Sequence, residues 1–435
     1  MPATSPGTVP VRSGSVEALD FARIAIGLVV LVAGGEVLVR GASGLAARWG
    51  LKPLVVGLTV VAIGTSAPEF AVTVDAVLRD QTALAVGNVV GSNITNVLLV
   101  LGLAAVVLPL AVNAQLVRVE VPVMIVLSVL FLLLALDGRI SALDGLLLVS
   151  LWLAHTAMTV VIGRRDTSLS SDQPDQAAPA TATAAAAATE PSTAAAAATE
   201  PSTAAATADP VQPETPGNGS STGESDSGAA RPQSSTVSGL LIVAGIALLV
   251  VGASVLVTGA VNTATALGVD SLVIGLTVVA LGTSLPELVT SLVAAFRGER
   301  DIAIGNVVGS CIANIGLVMA VPALFAGGGI PVPAAAIAFD IPLMVVTAIA
   351  VLPIIFTGYA VQRWEGAVFF GLYIAFTTYL VLNATEHQAL TGFTQVMVFF
   401  VLPLVLIAII TTVVYDAHRR TNARNAPAEL SANSS

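Results

Sequence analysis

Residues 57–96 and 275–314 of this chain are near copies of each other, and each copy carries a glutamate inside an otherwise apolar segment. The first copy contains GLTVVAIGTSAPEF and then GNVVGSNITN; the second contains GLTVVALGTSLPEL and then GNVVGSCIAN. At a constant offset of 218 residues, 22 of 40 positions are identical. A carboxylate in hydrocarbon costs about 2.5–3.5 kcal/mol on insertion scales, so Glu69 and Glu287 are functional candidates by default. The same costly feature in matched places points to a transporter assembled from two repeats.

Composition supports a membrane setting. Of the 435 residues, 55% are hydrophobic and only 10% charged, against about 25% charged in a soluble domain. Apolar segments run near 24–46, 54–78, 83–108, 119–136 and 143–162, then near 237–263, 271–296, 302–326, 334–356, 364–384 and 395–415. They read as eleven transmembrane helices, an all-α polytopic fold embedded in a lipid bilayer. The net charge of −10 says little about partners, because nine of the 27 acids lie between Asp166 and Asp226. Nothing points to nucleic acid. One cysteine, Cys311, excludes an internal disulfide and a multi-thiolate metal site, and three scattered histidines exclude a zinc site. The chain does not open with a cleavable signal pattern, so its first apolar stretch is expected to remain as a helix.

The repeat extends past the motifs. Val37-Leu38-Val39 matches Val255-Leu256-Val257, and Glu120-Val-Pro122 resembles Asp340-Ile-Pro342 at an offset of 220. The repeating unit is therefore five helices, and an odd number forces the second unit to enter the membrane inverted. We read residues 1–165 as the first five-helix repeat and 166–236 as a linker. Residues 237–390 form the second repeat, and 391–435 an extra helix with a basic tail. The linker, rich in Ala, Thr, Pro and Glu with a repeated AAAAATEPST, has too little apolar surface to fold and is expected to be disordered. With the N-terminus outside, only Arg12, Arg23, Arg79 and Arg139 of the 17 basic residues face out. The bias places linker and C-terminus in the cytoplasm. A sealed ion gradient calls for a plasma membrane, and the linker composition leans to a bacterial inner membrane.

Chemistry concentrates in the paired motifs. Pro68 and Pro286, each following Gly-Thr-Ser, should interrupt their helices and free carbonyls near Ala62 and Ala280. Ser92 and Asn96 share a helix face, as do Ser310 and Asn314. Four helices, two from each inverted unit, then surround one centre. That centre gathers Glu69, Glu287, Thr65, Thr283, Ser66, Ser284, Ser92, Ser310, Asn96 and Asn314. These are hard oxygen donors, suited to Ca²⁺ and Na⁺. Two carboxylates carry a charge of −2, which one Ca²⁺, two Na⁺ or two protons would neutralise in turn. Mutually exclusive neutralisation is what an antiporter requires.

The residues closely resemble the sodium/calcium exchanger superfamily of cation/calcium antiporters, whose two repeats carry G-T-S-x-P-E and then G-N-x-x-G-S-N-x-x-N. The resemblance covers ten of the eleven helices. It implies a five-plus-five inverted repeat, alternating access, and a central calcium site with Glu69 and Glu287 as principal ligands. The hydroxyl and amide residues named above become candidate ligands for calcium or its counter-ion. Where many sodium-driven members carry an aspartate, this chain has Asn314, and Cys311 replaces the equivalent of Asn93. No calcium-sensing sandwich occupies the linker.

The expected activity is exchange of Ca²⁺ for Na⁺, with no cofactor and no enzymatic step. A proton in place of Na⁺ is the first alternative, and a passive cation channel the second. Potassium is a further candidate ion, and no feature fixes an oligomeric state. An intramembrane hydrolase using Ser66 and Glu69 lacks a nearby base and would need two active sites. Several polar residues have plainer readings. Asn88 and Asn306 suit interhelical hydrogen bonds. Glu36 pairs with Arg40 one turn on, Glu120 and Asp340 cap helix starts, and His155 belongs to a core or interface.

Overall fold

The computed structural model describes residues 18–171, 234–269, 274, 277–278, 280–356, 360–407, 410–411 and 414. Most of the expected linker, the chain start and the basic tail lie outside the described residues.

Eight helices among the described residues are long and apolar enough to cross a membrane, and a bent pair supplies a ninth span. In chain order they are α1 (Ala18–Trp49), the bent pair α2 (Pro53–Thr65 and Ala67–Leu78, meeting at 44°), α3 (Thr82–Val107) and α4 (Leu116–Ala135). Next comes α5 (Ala142–Ser171), whose helix continues past its expected end. After the linker come α6 (Ser235–Ala266), α8 (Arg300–Phe325), α10 (Arg363–Ala384) and α11 (Ala389–Ile407). Two shorter apolar helices complete the expected eleven: α7, described over Ala280–Thr283 and Leu285–Phe296, and α9 (Ala336–Leu352).

The breaks in α2 and α7 have a local cause. Pro68 and Pro286 sit in the first turn of the second segment, where a missing N–H is tolerated. The residue before each segment leaves helical geometry, Ser66 at φ −80°, ψ 8° and Ser284 at φ −87°, ψ 4°. Wide π-turns occur in matched places of the two halves: Asn96–Leu101 with Asn314–Met319, and Leu116–Glu120 with Ala336–Asp340. Such turns re-aim side chains and recur at functional sites.

Two short antiparallel clips demonstrate the inversion. Strand β1 (Leu110–Ala111) pairs with β4 (Ala360–Val361), and β2 (Arg139–Ile140) pairs with β3 (Ile330–Pro331). β1 precedes α4 and β2 follows it, so a helix of 20 residues, about 30 Å, separates them. β3 occupies the place in the second half that β1 occupies in the first. Since β3 pairs with β2, equivalent loops of the halves lie at opposite ends of the molecule.

The long helices α1 and α6 run against each other with backbones in near contact. A Cβ on Gly34 would stand 2.8 Å from the Leu249 amide nitrogen, and one on Gly245 2.6 Å from that of Leu38. Small residues that admit such approach drive helix association where lipid removes the hydrophobic incentive. Inside, α3 and α8 are each 83% buried over their most apolar stretch and form the centre of the bundle, whereas α11 buries none. The core around them contains Val89, Ile94, Leu101, Val307, Ile312 and Ile315.

Glu120 departs from its expected role. It caps no helix end; its side chain is fully buried, with Oε2 2.6 Å from His155 Nε2. Gln115 donates to Oε1 at 3.0 Å and Thr159 at 3.3 Å. A carboxylate inside the fold needs such partners, and they come from the turn before it and from α5.

Candidate ion-binding site

The helix breaks of α2 and α7 face each other across the centre of the bundle, flanked by α3 and α8. Glu69 and Glu287 open the second segments of their helices, and both are fully buried. Each is reached by a serine from the other half: Ser66 Oγ donates to Glu287 Oε1 at 3.2 Å, and Ser284 Oγ to Glu69 Oε1 at 3.4 Å. Ser284 also lies 3.5 Å from Ser92 on α3. On the opposite side, Thr65 contacts Asn306 Oδ1 at 3.0 Å and Ser310 Oγ at 3.4 Å. The structure thus brings Thr65, Ser66, Ser92, Ser284, Ser310 and the two glutamates into one cluster.

Among the described residues four buried oxygens here, Glu69 Oε2, Glu287 Oε2, Asn96 Oδ1 and Asn314 Oδ1, have no hydrogen-bond partner, and neither has Asn96 Nδ2. Leaving buried polar atoms unsatisfied is costly, so a matched set of acceptors from both halves asks for a cation. Among the described residues no group of three His, Cys, Asp or Glu could hold a metal, and the acidic side chains of this cluster are Glu69 and Glu287.

The remaining candidates divide. The Ala62 carbonyl is not vacated by the helix break: it accepts Ser66 N–H at 3.0 Å, while Thr65 and Ser310 hydroxyls approach it at 3.3 and 3.5 Å. In the second half the Ser284 N–H turns to Leu281 O at 3.1 Å, so it does not occupy the Ala280 carbonyl. Asn314 Nδ2 donates to Asn93 Oδ1 at 3.1 Å, which fixes its amide with the oxygen free. Thr283 is half-buried and lines a cavity beside α3.

A supporting layer holds the glutamate backbones. Asn88 Nδ2 donates to the Glu69 carbonyl at 3.0 Å and to Thr73 Oγ1 at 2.9 Å. Asn306 Nδ2 does the same to the Glu287 carbonyl at 3.3 Å and to Ser291 Oγ at 3.0 Å. Thr73 and Ser291 went unread in the sequence. The signal was there: they stand four residues after their glutamates and keep the 218-residue offset.

A cavity of about 370 Å³ runs along α3, lined by Leu84, Gly87, Asn88, Gly91, Ser92 and Thr95. Thr283, Asp340, Tyr373 and Phe376 close it from α7, α9 and α10. It reaches Ser92 and Thr283, both part of the donor set. On α8 the equivalent glycines meet protein instead. A Cβ on Gly305 would stand 2.9 Å from the Leu54 carbonyl oxygen, and one on Gly309 2.6 Å from that of Leu58. The first segment of α2 therefore packs on the glycine face of α8; the copies of Leu54, Gly57 and Leu58 in α7 lie outside the described residues.

Comparison with known proteins adds the following. The family described as "Sodium/calcium exchanger protein" matches residues 19–161 and 237–382. Inner membrane protein YrbG of Escherichia coli (strain K12) is 42% identical over 147 residues, covering 34% of this chain and 45% of that protein. Sodium/calcium exchanger MaX1 of Methanosarcina acetivorans is 39% identical over 119 residues, covering 27% of this chain and 34% of its own length. The chain thus spans less than half the length of these curated relatives. Solved structures of the sodium-calcium exchanger NCX_Mj align with a TM-score of 0.60 and 28% identity, over 82% of this chain and 97% of that one.

Proposed function

The chain belongs to the sodium/calcium exchanger family, and from that premise we propose that it is a secondary active antiporter exchanging Ca²⁺ for Na⁺ by alternating access. The observation that carries this reading is the set of four unpartnered oxygens, two from each half, around the helix breaks. Two carboxylates balance one Ca²⁺ or two Na⁺, and the neutral hydroxyl and amide oxygens complete a hard, flexible coordination shell. Thr65, Ser66, Ser92, Thr283, Ser284, Ser310, Asn96, Asn314 and the Ala280 carbonyl are the neutral donors of this proposal, and the Ala62 carbonyl, already hydrogen-bonded, is left out of it.

The mechanism follows from charge and access. With no cation the site holds two buried carboxylates, and moving that charge past an apolar seal is unfavourable. Occupation by Ca²⁺ or by Na⁺ neutralises it and permits the seal to pass from one side to the other. The inverted halves make the two end states equivalent in kind: a first segment of α2 on α8, or of α7 on α3. Positive-inside bias supports an outside N-terminus in a bacterial inner membrane, which would turn the cavity along α3 outward. The linker, without ligands, would tether the repeats.

Everted vesicles test the reading. Calcium uptake is expected to follow an imposed Na⁺ gradient, and Glu69→Gln or Glu287→Gln is expected to abolish it without loss of membrane insertion. Near-normal exchange by either variant overturns the two-glutamate site. Asn314 favours one competing reading, a proton as counter-ion, because an amide removes a negative charge that additional Na⁺ would balance. Uptake driven by a pH jump alone would establish that alternative.

A further inference from the structure

Glu120 and Asp340 hold matching places in the two halves, five residues into α4 and α9, yet their surroundings differ. Glu120 is enclosed by Gln115, His155 and Thr159. The equivalent positions of the second half carry Ala335, Phe376 and Leu380, at the offset of 220 that relates the acids and the offset of 221 that relates β2 to β4. All three polar partners have become apolar. Among the described residues no hydrogen bond or ion pair reaches the Asp340 side chain. Asp340 is half-buried and lines the cavity of about 370 Å³ that ends at Ser92 and Thr283. Phe376 and Leu380 line the same cavity.

We propose that Asp340 is a cation-gathering carboxylate of the access cavity, a positioning residue that raises the local concentration of Ca²⁺ and Na⁺ before they reach the glutamate pair. The physical basis is focusing. A narrow cavity with apolar walls confines field lines, so one fixed charge inside it attracts cations more strongly than the same charge on an open surface. Phe376 and Leu380 supply such walls, while Asn88, Thr95 and Thr377 offer neutral oxygens along the way. A purely structural acid would have kept partners of the Glu120 kind, because a buried carboxylate is otherwise expensive. Among the described residues that line this cavity Asp340 is the one anionic side chain.

The flux arm of the test rests on the exchange reading; the labelling arm does not. In the first, Asp340→Asn and Asp340→Glu are compared with the natural protein in vesicles of both orientations. Asp340→Asn is expected to raise half-saturating Ca²⁺ roughly three- to tenfold at low ionic strength, on the cavity side only. Saturating Ca²⁺ restores the rate, about 0.5 M salt removes the difference, and Asp340→Glu retains natural behaviour. In the second arm, Thr377→Cys places a thiol on the cavity wall, with buried Cys311 alone as background. Its reaction with a cationic methanethiosulfonate is expected to exceed that with an anionic one, and Asp340→Asn should lower that ratio at least roughly threefold. An unchanged ratio, or a half-saturation shift equal on both sides or indifferent to salt, overturns the proposal. A natural protein that moves no Ca²⁺ overturns the exchange reading, while the labelling ratio still decides the role of Asp340.

Discussion

Gly305 and Gly309 on α8 are copies of Gly87 and Gly91 on α3, and among the described residues the α8 pair alone meets a neighbouring backbone. The α8 pair is pressed against the backbone of α2, with the Leu58 carbonyl oxygen 2.6 Å from where a Gly309 Cβ would be. Among the described residues no atom lies within 4 Å of a Cβ built on Gly87 or Gly91; Leu272, Gly275 and Leu276, the copies of Leu54, Gly57 and Leu58, lie outside the described residues. On the alternating-access proposal, these glycines are the contact surfaces of its two states, and the packing of α2 on α8 is one of them.

The same division runs outward from the centre. At the end of the molecule where α8 is sealed, Arg297 reaches across to Glu36 on α1, with Nε 2.6 Å from Oε2 and a second contact to Oε1. Its counterpart Arg79, at the open end, pairs with Asp75 one turn away on its own helix at 2.8 Å. The sealed end is also where Glu120 is enclosed by His155, and the open end is where Asp340 stands without a partner.

The largest effect should come from that enclosed pair. His155→Ala leaves a fully buried carboxylate without its principal partner, and loss of one member of a buried pair costs about 3–5 kcal/mol. Phe376→Ala, at the equivalent place in the second half, widens a cavity that is already open and should cost clearly less. Apparent melting temperatures of the two variants in detergent measure the contrast. Equal losses would mean that the two regions do not differ in packing.

Next in size is the seal itself. Gly309→Ala inserts a methyl where backbone atoms already stand, and overpacking of this kind costs about 1–3 kcal/mol, here charged against the sealed state alone. Ile302, fully buried against Gly57, reports on it. In an Ile302→Cys background, Gly309→Ala is expected to admit a thiol reagent that the parent excludes. Gly91→Ala meets no described atom and should leave that position protected, while slowing exchange because the opposite closure is obstructed. If both alanines expose position 302 equally, the assignment of one sealed and one open face fails.

Much of this was legible beforehand. The duplicated G-T-S-x-P-E and G-N-V-V-G-S segments specify broken helices and a two-half site, and the odd helix count specifies inversion, which the β1–β4 and β2–β3 clips bear out. The sealed and open faces were not legible, because two nearly identical motifs carry no information about which of them is occupied. Pairings between distant positions were hidden for a related reason. Glu120 sits where a helix cap belongs, and its partner His155 lies 35 residues away on another helix. Glu36 has an apparent partner in Arg40, and indeed contacts it at 2.8 Å, but Arg297 lies 261 residues on. Local chemistry names what a side chain can do; tertiary packing decides which of several capable partners it meets.

The smallest effect concerns that last pair. Glu36 and Arg297 are both about one-third exposed, so their interaction is screened, and its contribution should not exceed about 1 kcal/mol. Because the contact joins α1 to the corner after α7 at the sealed end, its loss acts on the balance between states and only secondarily on overall stability. Arg297→Ala should therefore raise labelling of Ile302→Cys by up to roughly fivefold, with little change in melting temperature. High salt should produce the same increase in the parent, since it weakens the same contact. Arg79→Ala removes a pair whose members are 66% and 60% exposed on a single helix. It should leave position 302 unaffected. A response to Arg79→Ala as large as that to Arg297→Ala would show that general surface charge governs accessibility, and the crossing ion pair would lose its place in the comparison.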